Sequence, residues 1–353
     1  PGTGKSVIAL LRARRYHADG DYTFLVYNRL LHEASFQLIG KQMNSATWKS
    51  WFHKKYRTAL NKSAPMGDEV NGWREIKWDE VITSICAAEA IPPPKKPFLI
   101  IDEGQDMPPE FYEALTNLGF GNFFVVADQN QQITAENSSR RDLENKLDIN
   151  PKDVIELKEN YRNSLPIARL ARTFYTGDPA SPPPQLPTAK PSIAIPLLVE
   201  YGRGCRVDFT AIVARILKMA DREPGKLIGV ITPNNKVRNR YLKALKQAQV
   251  KLDHGLPRIE TYASEENNKF SFAEGGIVVI NAKGCKGLEF DVVFIADIHE
   301  YRFDQNHQDA VKKLFYVMVA RAIDRVILLK ETGENCPVES ILPEDENILG
   351  RRR

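Results

Sequence analysis

The sequence predicts an α/β protein made of two tandem domains, each built on a parallel sheet. Three observations carry this expectation. Short apolar runs ending in polar residues recur along the chain, stretches with helical apolar spacing alternate with them, and a Pro-rich stretch over residues 178–196 separates one such series from the next.

In the first series, residues 22–27, 98–102 and 122–128 read as buried parallel strands, each an apolar run bounded by loop residues. Residues 6–17 and 111–118 have the spacing of helices packed beside them. Residues 44–97 interrupt this series and hold every tryptophan of the chain, Trp48, Trp51, Trp73 and Trp78, so they read as a small insertion. Pro92, Pro93, Pro94 and Pro97 mark the return to the sheet.

Pro182, Pro183 and Pro184 cannot lie inside a helix or a central strand, so the stretch holding them is a loop or linker. The second series follows: strands at 197–201, 227–232, 277–280 and 292–295, and helices at 208–220, 236–249 and 309–322. Residues 252–276 can be only a loop, and Arg351, Arg352 and Arg353 read as a solvated tail. The domain boundary is placed at 155/156.

Composition narrows the class. With 353 residues and an apolar fraction of 42% the chain has the make-up of a globular protein, which excludes disordered and fibrous classes. No run approaches the roughly 18 apolar residues of a membrane-spanning helix, and no signal peptide opens the chain, so a cytoplasmic location without membrane association is expected. Cys86, Cys205, Cys285 and Cys336 are scattered, suggesting neither a zinc site nor a disulfide framework. Against 45 acidic side chains, 49 basic ones permit a nucleic-acid partner without requiring one.

The motifs are more specific. Pro1-Gly2-Thr3-Gly4-Lys5-Ser6 is the C-terminal part of the phosphate-binding pattern G-x-x-x-x-G-K-[ST], followed at once by the helix that such a loop requires. The first glycine of the pattern would precede Pro1, where a further strand is expected. Gly2, Thr3 and Gly4 would curl backbone N–H groups around phosphate oxygens, Lys5 would reach the β and γ phosphates, and Ser6 would place its hydroxyl on Mg²⁺. Residues 99–103, Leu-Ile-Ile-Asp-Glu, form an apolar strand ending in two acids. Asp102 there would hold Mg²⁺ through water, and Glu103 would deprotonate the attacking water.

Asp102-Glu103-Gly104-Gln105-Asp106 resembles the D-E-x-Q-D of motif II in the superfamily 1 helicases and translocases of the UvrD/Rep type, and further motifs follow in that family's order. Ala127-Asp128-Gln129-Asn130-Gln131 resembles motif III, and Asn160-Tyr161-Arg162 resembles motif IV. Lys286-Gly287-Leu288-Glu289-Phe290 resembles motif V, and Leu314-Phe315-Tyr316-Val317 with Arg321-Ala322 resembles motif VI. The resemblance covers the chain to about Arg325 and implies two tandem RecA-like P-loop domains with ATP in the cleft between them. By that resemblance Tyr161 would stack on adenine, Gly287 and Glu289 would contact the nucleotide, Gln131 would sense the γ-phosphate, and Arg162 and Arg321 would be arginine fingers.

The family also implies an ATP-driven motor on single-stranded nucleic acid, DNA rather than RNA, moving 3′ to 5′. Tyr27 and Asn28 lie where the family contacts the strand. Thr47 and Trp48 begin a second such segment, whose aromatics alternate with Lys49, His53, Lys54, Lys55 and Arg57. Trp48 has two readings here, a stacking platform or core. Motif III has Ala127 where glycine is usual, motif V has Asn281 and Lys283 for threonine and histidine, and motif VI has Ala320 for threonine. The first inserted subdomain of larger members is small here and the second nearly absent, which implies a minimal motor. A second reading, a regulatory NTPase subunit controlling a partner nuclease as in phage defence, is open to compact members of the same family.

Overall fold

The structure, a computed structural model, describes residues 2–16, 21–27, 43–70, 73–88, 97–133, 137–177, 182–188, 194–261, 274–303 and 307–353. The chain divides into two compact units, residues 4–157 and residues 158–353, the latter joined by residues 1–3. Both are α/β units with parallel sheets.

In the first unit, α1 (Lys5–Tyr16) leads to β1 (Tyr22–Val26), and β2 (Ser45–Thr47) runs straight into α2 (Trp48–Leu60). An antiparallel hairpin follows, β3 (Met66–Val70) and β4 (Trp73–Ile76), then α3 (Trp78–Cys86), β5 (Phe98–Ile101), α4 (Pro109–Asn117), β6 (Phe123–Val125) and α5 (Arg140–Lys146). The sheet order is β2-β1-β5-β6, all parallel. Alternation along the strands sends side chains to two cores. Phe24, Val26 and Ile100 pack with Ala9 and Ala13 of α1, while Leu25, Leu99 and Ile101 pack with α2 and α4. The segment read as an insertion therefore contributes a sheet strand, β2, and much of one core.

In the second unit, α6 (Leu165–Thr173) is followed by β7 (Leu197–Tyr201), α7 (Phe209–Arg222), β8 (Leu227–Thr232) and α8 (Asn235–Gln247). Then come β9 (Ile259–Thr261), β10 (Gly276–Asn281), β11 (Phe290–Ile295), α9 (Gln308–Val319), β12 (Ala322–Glu331) and β13 (Gly350–Arg352). The parallel order is β13-β7-β12-β11-β8-β10-β9.

Three strands of the second sheet differ from the sequence expectations. β12 runs from Ala322 to Glu331 between β7 and β11 and was not anticipated, because its first residues carry Asp324 and Arg325 and mask the apolar run behind them. Within the expected loop 252–276, Ile259–Thr261 pairs with β10. The C-terminal arginines are not a free tail: Arg351 and Arg352 keep exposed side chains while their backbone adds an edge strand to β7. An edge strand needs only backbone partners, so polar side chains do not forbid it.

Candidate active site

The polar residues of the first unit gather at the carboxyl ends of β5 and β6 and at the N-terminus of α1, where parallel α/β sheets place their ligands. Gly4 has φ +84°, a left-handed conformation that L residues rarely adopt, and its carbonyl accepts from Ile8 N–H at 3.0 Å to start α1. Lys5 and Ser6 are thereby set on the first turn of a helix whose N–H groups favour an anion.

Ser6 Oγ donates to Asp102 Oδ1 at 3.1 Å, and the Glu103 N–H donates to the same oxygen at 3.0 Å. Lys5 Nζ lies 3.0 Å from Asp128 Oδ2, which also accepts from Gln131 Nε2 at 2.6 Å. Asp102, Glu103, Asp128 and Gln131 are all buried. Glu103 adopts φ +54°, a left-handed conformation, at the sharp turn out of β5. Its neighbour Gly104 allows that turn: a Cβ there would meet Val125 Cγ1 at 2.4 Å and the Tyr112 hydroxyl oxygen at 3.0 Å.

The charges are unequal in their settings. Burial, and then the adjacent Glu103 charge, push the Asp102 carboxyl up to about 7, against the pull of Ser6 and Lys5. For Asp128, burial again acts upward, but the Lys5 ammonium and the Gln131 amide hold it well below the usual carboxylate range. Asp102 is therefore the carboxylate that a cation would relieve. Among the described residues no three His, Cys, Asp or Glu side chains form a ready cation cage. The donor set fits Mg²⁺ as phosphate-transferring proteins hold it, through one hydroxyl, one carboxylate and substrate oxygens.

In the second unit, Gly2 has φ +74°, its carbonyl accepts from Tyr161 N–H at 2.8 Å, and a Cβ on it would meet Asn160 Oδ1 at 2.3 Å. Thr3 is buried. Tyr161 is 63% exposed, with its hydroxyl bonded to Glu159. Arg162 pairs with Glu289, and Gly287, at φ +79°, makes the turn before Glu289. Arg321 is 1% exposed: Nε donates to Val317 O at 3.1 Å and Nη1 to Leu288 O at 3.4 Å.

Asn163 is a residue to which the sequence reading gave no role. Its Nδ2 donates to the carbonyls of Ala320 (3.2 Å) and Ala322 (2.5 Å), while Asn160 Nδ2 donates to its Oδ1 at 2.9 Å. This bracket fixes the Tyr161–Arg162 segment to the residues around Arg321, a link between positions about 160 apart that no local pattern signals.

For the nucleic-acid residues, Tyr27 is half-buried against the core, Thr47 is half-buried at the end of β2, and Asn28 lies outside the described residues. Trp48 is a correction to the stacking reading. It is 1% exposed, with Trp78 stacked at 6.4 Å and Phe111 edge-on at 5.0 Å, so it has no free face for a base. α2 shows Ser50, Lys54, Arg57 and Thr58 to solvent, two of them basic.

No protein-family model matches the sequence, and no curated protein does. Among solved structures, the chain is similar to the C-terminal domain of a possible DNA helicase from Lactobacillus plantarum WCFS1, at 17% identity over 54% of this chain and 98% of that one, with a TM-score of 0.37. It is also similar to the arterivirus nonstructural protein 10 helicase (13% identity, 97% of this chain, TM-score 0.41) and to the PRRSV helicase (11%, 98%, 0.45). The chain spans 60% and 53% of the lengths of those two viral proteins.

Proposed function

We propose that this protein is an ATP-hydrolysing motor that moves along single-stranded nucleic acid, DNA in preference to RNA, in the 3′-to-5′ direction. The observation that carries the reading is the hydrogen-bonded set at the strand ends of the first unit, in which Lys5 meets Asp128 and Gln131 while Ser6 meets Asp102 beside Glu103. Its support on the nucleic-acid side is the ordered run of motif-like segments in the sequence and the basic outer face of α2, which suits phosphates rather than bases.

Bound Mg²⁺·ATP supplies the phosphoanhydride and the charge neutralisation that its hydrolysis needs. Lys5 would leave Asp128 to hold the γ-phosphate, and Ser6 and Asp102 would hold the cation. Glu103 takes the proton of the attacking water. Gln131, released from Asp128 in the same event, reports the γ-phosphate. Arg162 would stabilise charge on the transferred group after leaving Glu289, and Arg321 would do so after turning away from the Val317 and Leu288 carbonyls. Tyr161 offers its exposed ring to the adenine, and Glu289 accepts from the ribose.

The test is directional movement: streptavidin displacement from single-stranded DNA biotinylated at either end, with ATP. Faster displacement from the 5′ end supports the proposal. DNA-independent hydrolysis without displacement from either end sinks the motor reading and favours the regulatory NTPase.

A further inference from the structure

Gln105 is fully buried in the single turn that follows Asp102 and Glu103, and its side-chain amide makes two hydrogen bonds of opposite sense. Oε1 accepts from the backbone N–H of Asp128 at 2.8 Å, and Nε2 donates to Glu103 Oε2 at 2.6 Å. These roles cannot be exchanged. A backbone N–H only donates, so the amide oxygen faces Asp128 and the amide nitrogen faces the carboxylate.

The two bonds close a continuous path. Lys5 and Gln131 meet on Asp128 Oδ2, the Asp128 N–H meets Gln105, and Gln105 meets Glu103. The surroundings hold Gln105 in place. Its carbonyl accepts from Ser138 N–H at 3.0 Å, the neighbouring Gly104 N–H donates to Val126 O at 2.9 Å, and the Tyr112 hydroxyl donates to Gly104 O at 2.6 Å. Glu103 leaves the chain at a left-handed backbone position, and a base must hold its oxygen within hydrogen-bond reach of the water it deprotonates.

We propose that Gln105 is the positioning residue for the Glu103 carboxylate, and that it ties the orientation of that base to the segment bearing Asp128 and Gln131. A shift of Asp128 when Lys5 leaves it is passed through the Gln105 amide to Glu103, so phosphate arrival and base alignment become one event. Gln105 touches no reacting atom. The proposal rests on the ATP-hydrolysis reading above.

The experiment compares Gln105→Met, which removes both bonds at similar volume, with Gln105→Leu, a second apolar side chain of similar size that removes both and adds no charge beside Glu103. Gln105→Asn, too short to span both partners, replaces either variant if its melting curve shows a folding defect. The readouts are kcat and KM for ATP, together with titration of a fluorescent ATP analogue in Mg²⁺. A misplaced base predicts that kcat falls about 100-fold in both variants, while KM and analogue affinity stay within about threefold. In a Glu103→Gln background, neither change lowers the residual rate further, because the group being positioned is already gone. Wild-type kcat in both variants, or losses that multiply with Glu103→Gln, overturns the positioning role alone. A wild-type protein that neither binds the analogue nor hydrolyses ATP overturns the underlying reading and the proposal with it.

Discussion

Two regions of the first unit use similar-looking sequence signals in opposite ways. At the ends of β5 and β6, the polar residues Asp102, Glu103, Gln105, Asp128 and Gln131 are buried and bonded to one another. In α2, Trp48, Trp51, Phe52 and Tyr56 are buried in the apolar core while Lys54 and Arg57 face solvent. Spacing accounts for the second region: positions 48, 51, 52 and 56 fall on one helical face, so alternation of aromatic and basic residues along the sequence becomes separation of the two in space. The first region has no such period. Burial of charge there is costly unless each group meets a partner, and a buried polar cluster of this kind is a candidate site of chemistry.

The largest effect that sharpens this contrast is catalytic. Lys5→Ala or Glu103→Gln is expected to lower ATP turnover by about 10³-fold or more, measured as steady-state phosphate release, with the melting temperature of Glu103→Gln within a few degrees of wild type and that of Lys5→Ala lower, because the buried Asp128 loses its ammonium partner. A Glu103→Gln protein of normal rate would remove Glu103 as the base.

The two arginines separate site from scaffold within the second unit. Arg162→Ala should lower kcat by about 10³-fold without loss of stability, since its partner Glu289 is half exposed. Arg321→Ala should lower both, because two carbonyls lose a buried donor at about 1–3 kcal/mol. Calorimetry beside the ATPase assay distinguishes the two.

Trp48→Ala should cost about 3–5 kcal/mol of stability, read by denaturant unfolding, with strand binding following the folded fraction. Weakened strand binding at unchanged stability would restore the stacking role.

A smaller effect lies in pH. Because the folded Asp102 carboxyl is pushed up to about 7 from its ordinary 3.8, the folded state binds this proton more tightly than the unfolded state. Ionising it therefore costs stability that is fully present below about pH 4 and lost by the time pH has risen through 7. Asp102→Asn should melt several degrees above wild type near pH 8, the gap closing toward pH 4 and narrowing when Mg²⁺ is added. The smallest effect is on the outer face of α2: Lys54→Ala or Arg57→Ala should reduce the slope of log affinity against log salt by about 1 each.

What the sequence made legible was local. The glycines around Lys5 and Ser6, and the two acids behind an apolar strand, announce themselves because their chemistry depends on neighbours within a few residues. The strands and helices that were named lie within a few residues of the expected ends, whereas α2, α3, α5 and α6 were not named, and β12 was missed where Asp324 and Arg325 interrupt its apolar run. Partnerships across the chain were not legible. Lys5 and Asp128 are 123 positions apart, and Gln105 stood inside a recognised motif without any sign of which way its amide would point. Trp48 failed as a base platform for the same reason, since helical spacing allowed either a wet or a dry face and Phe111 and Trp78 decided it.

The central claim is tested most directly by ATP turnover of the wild-type protein in Mg²⁺, with and without single-stranded DNA and RNA. The account predicts turnover that rises when single-stranded DNA is added, rises less with RNA, and disappears in Glu103→Gln. Absence of turnover, or turnover indifferent to either strand, would contradict it.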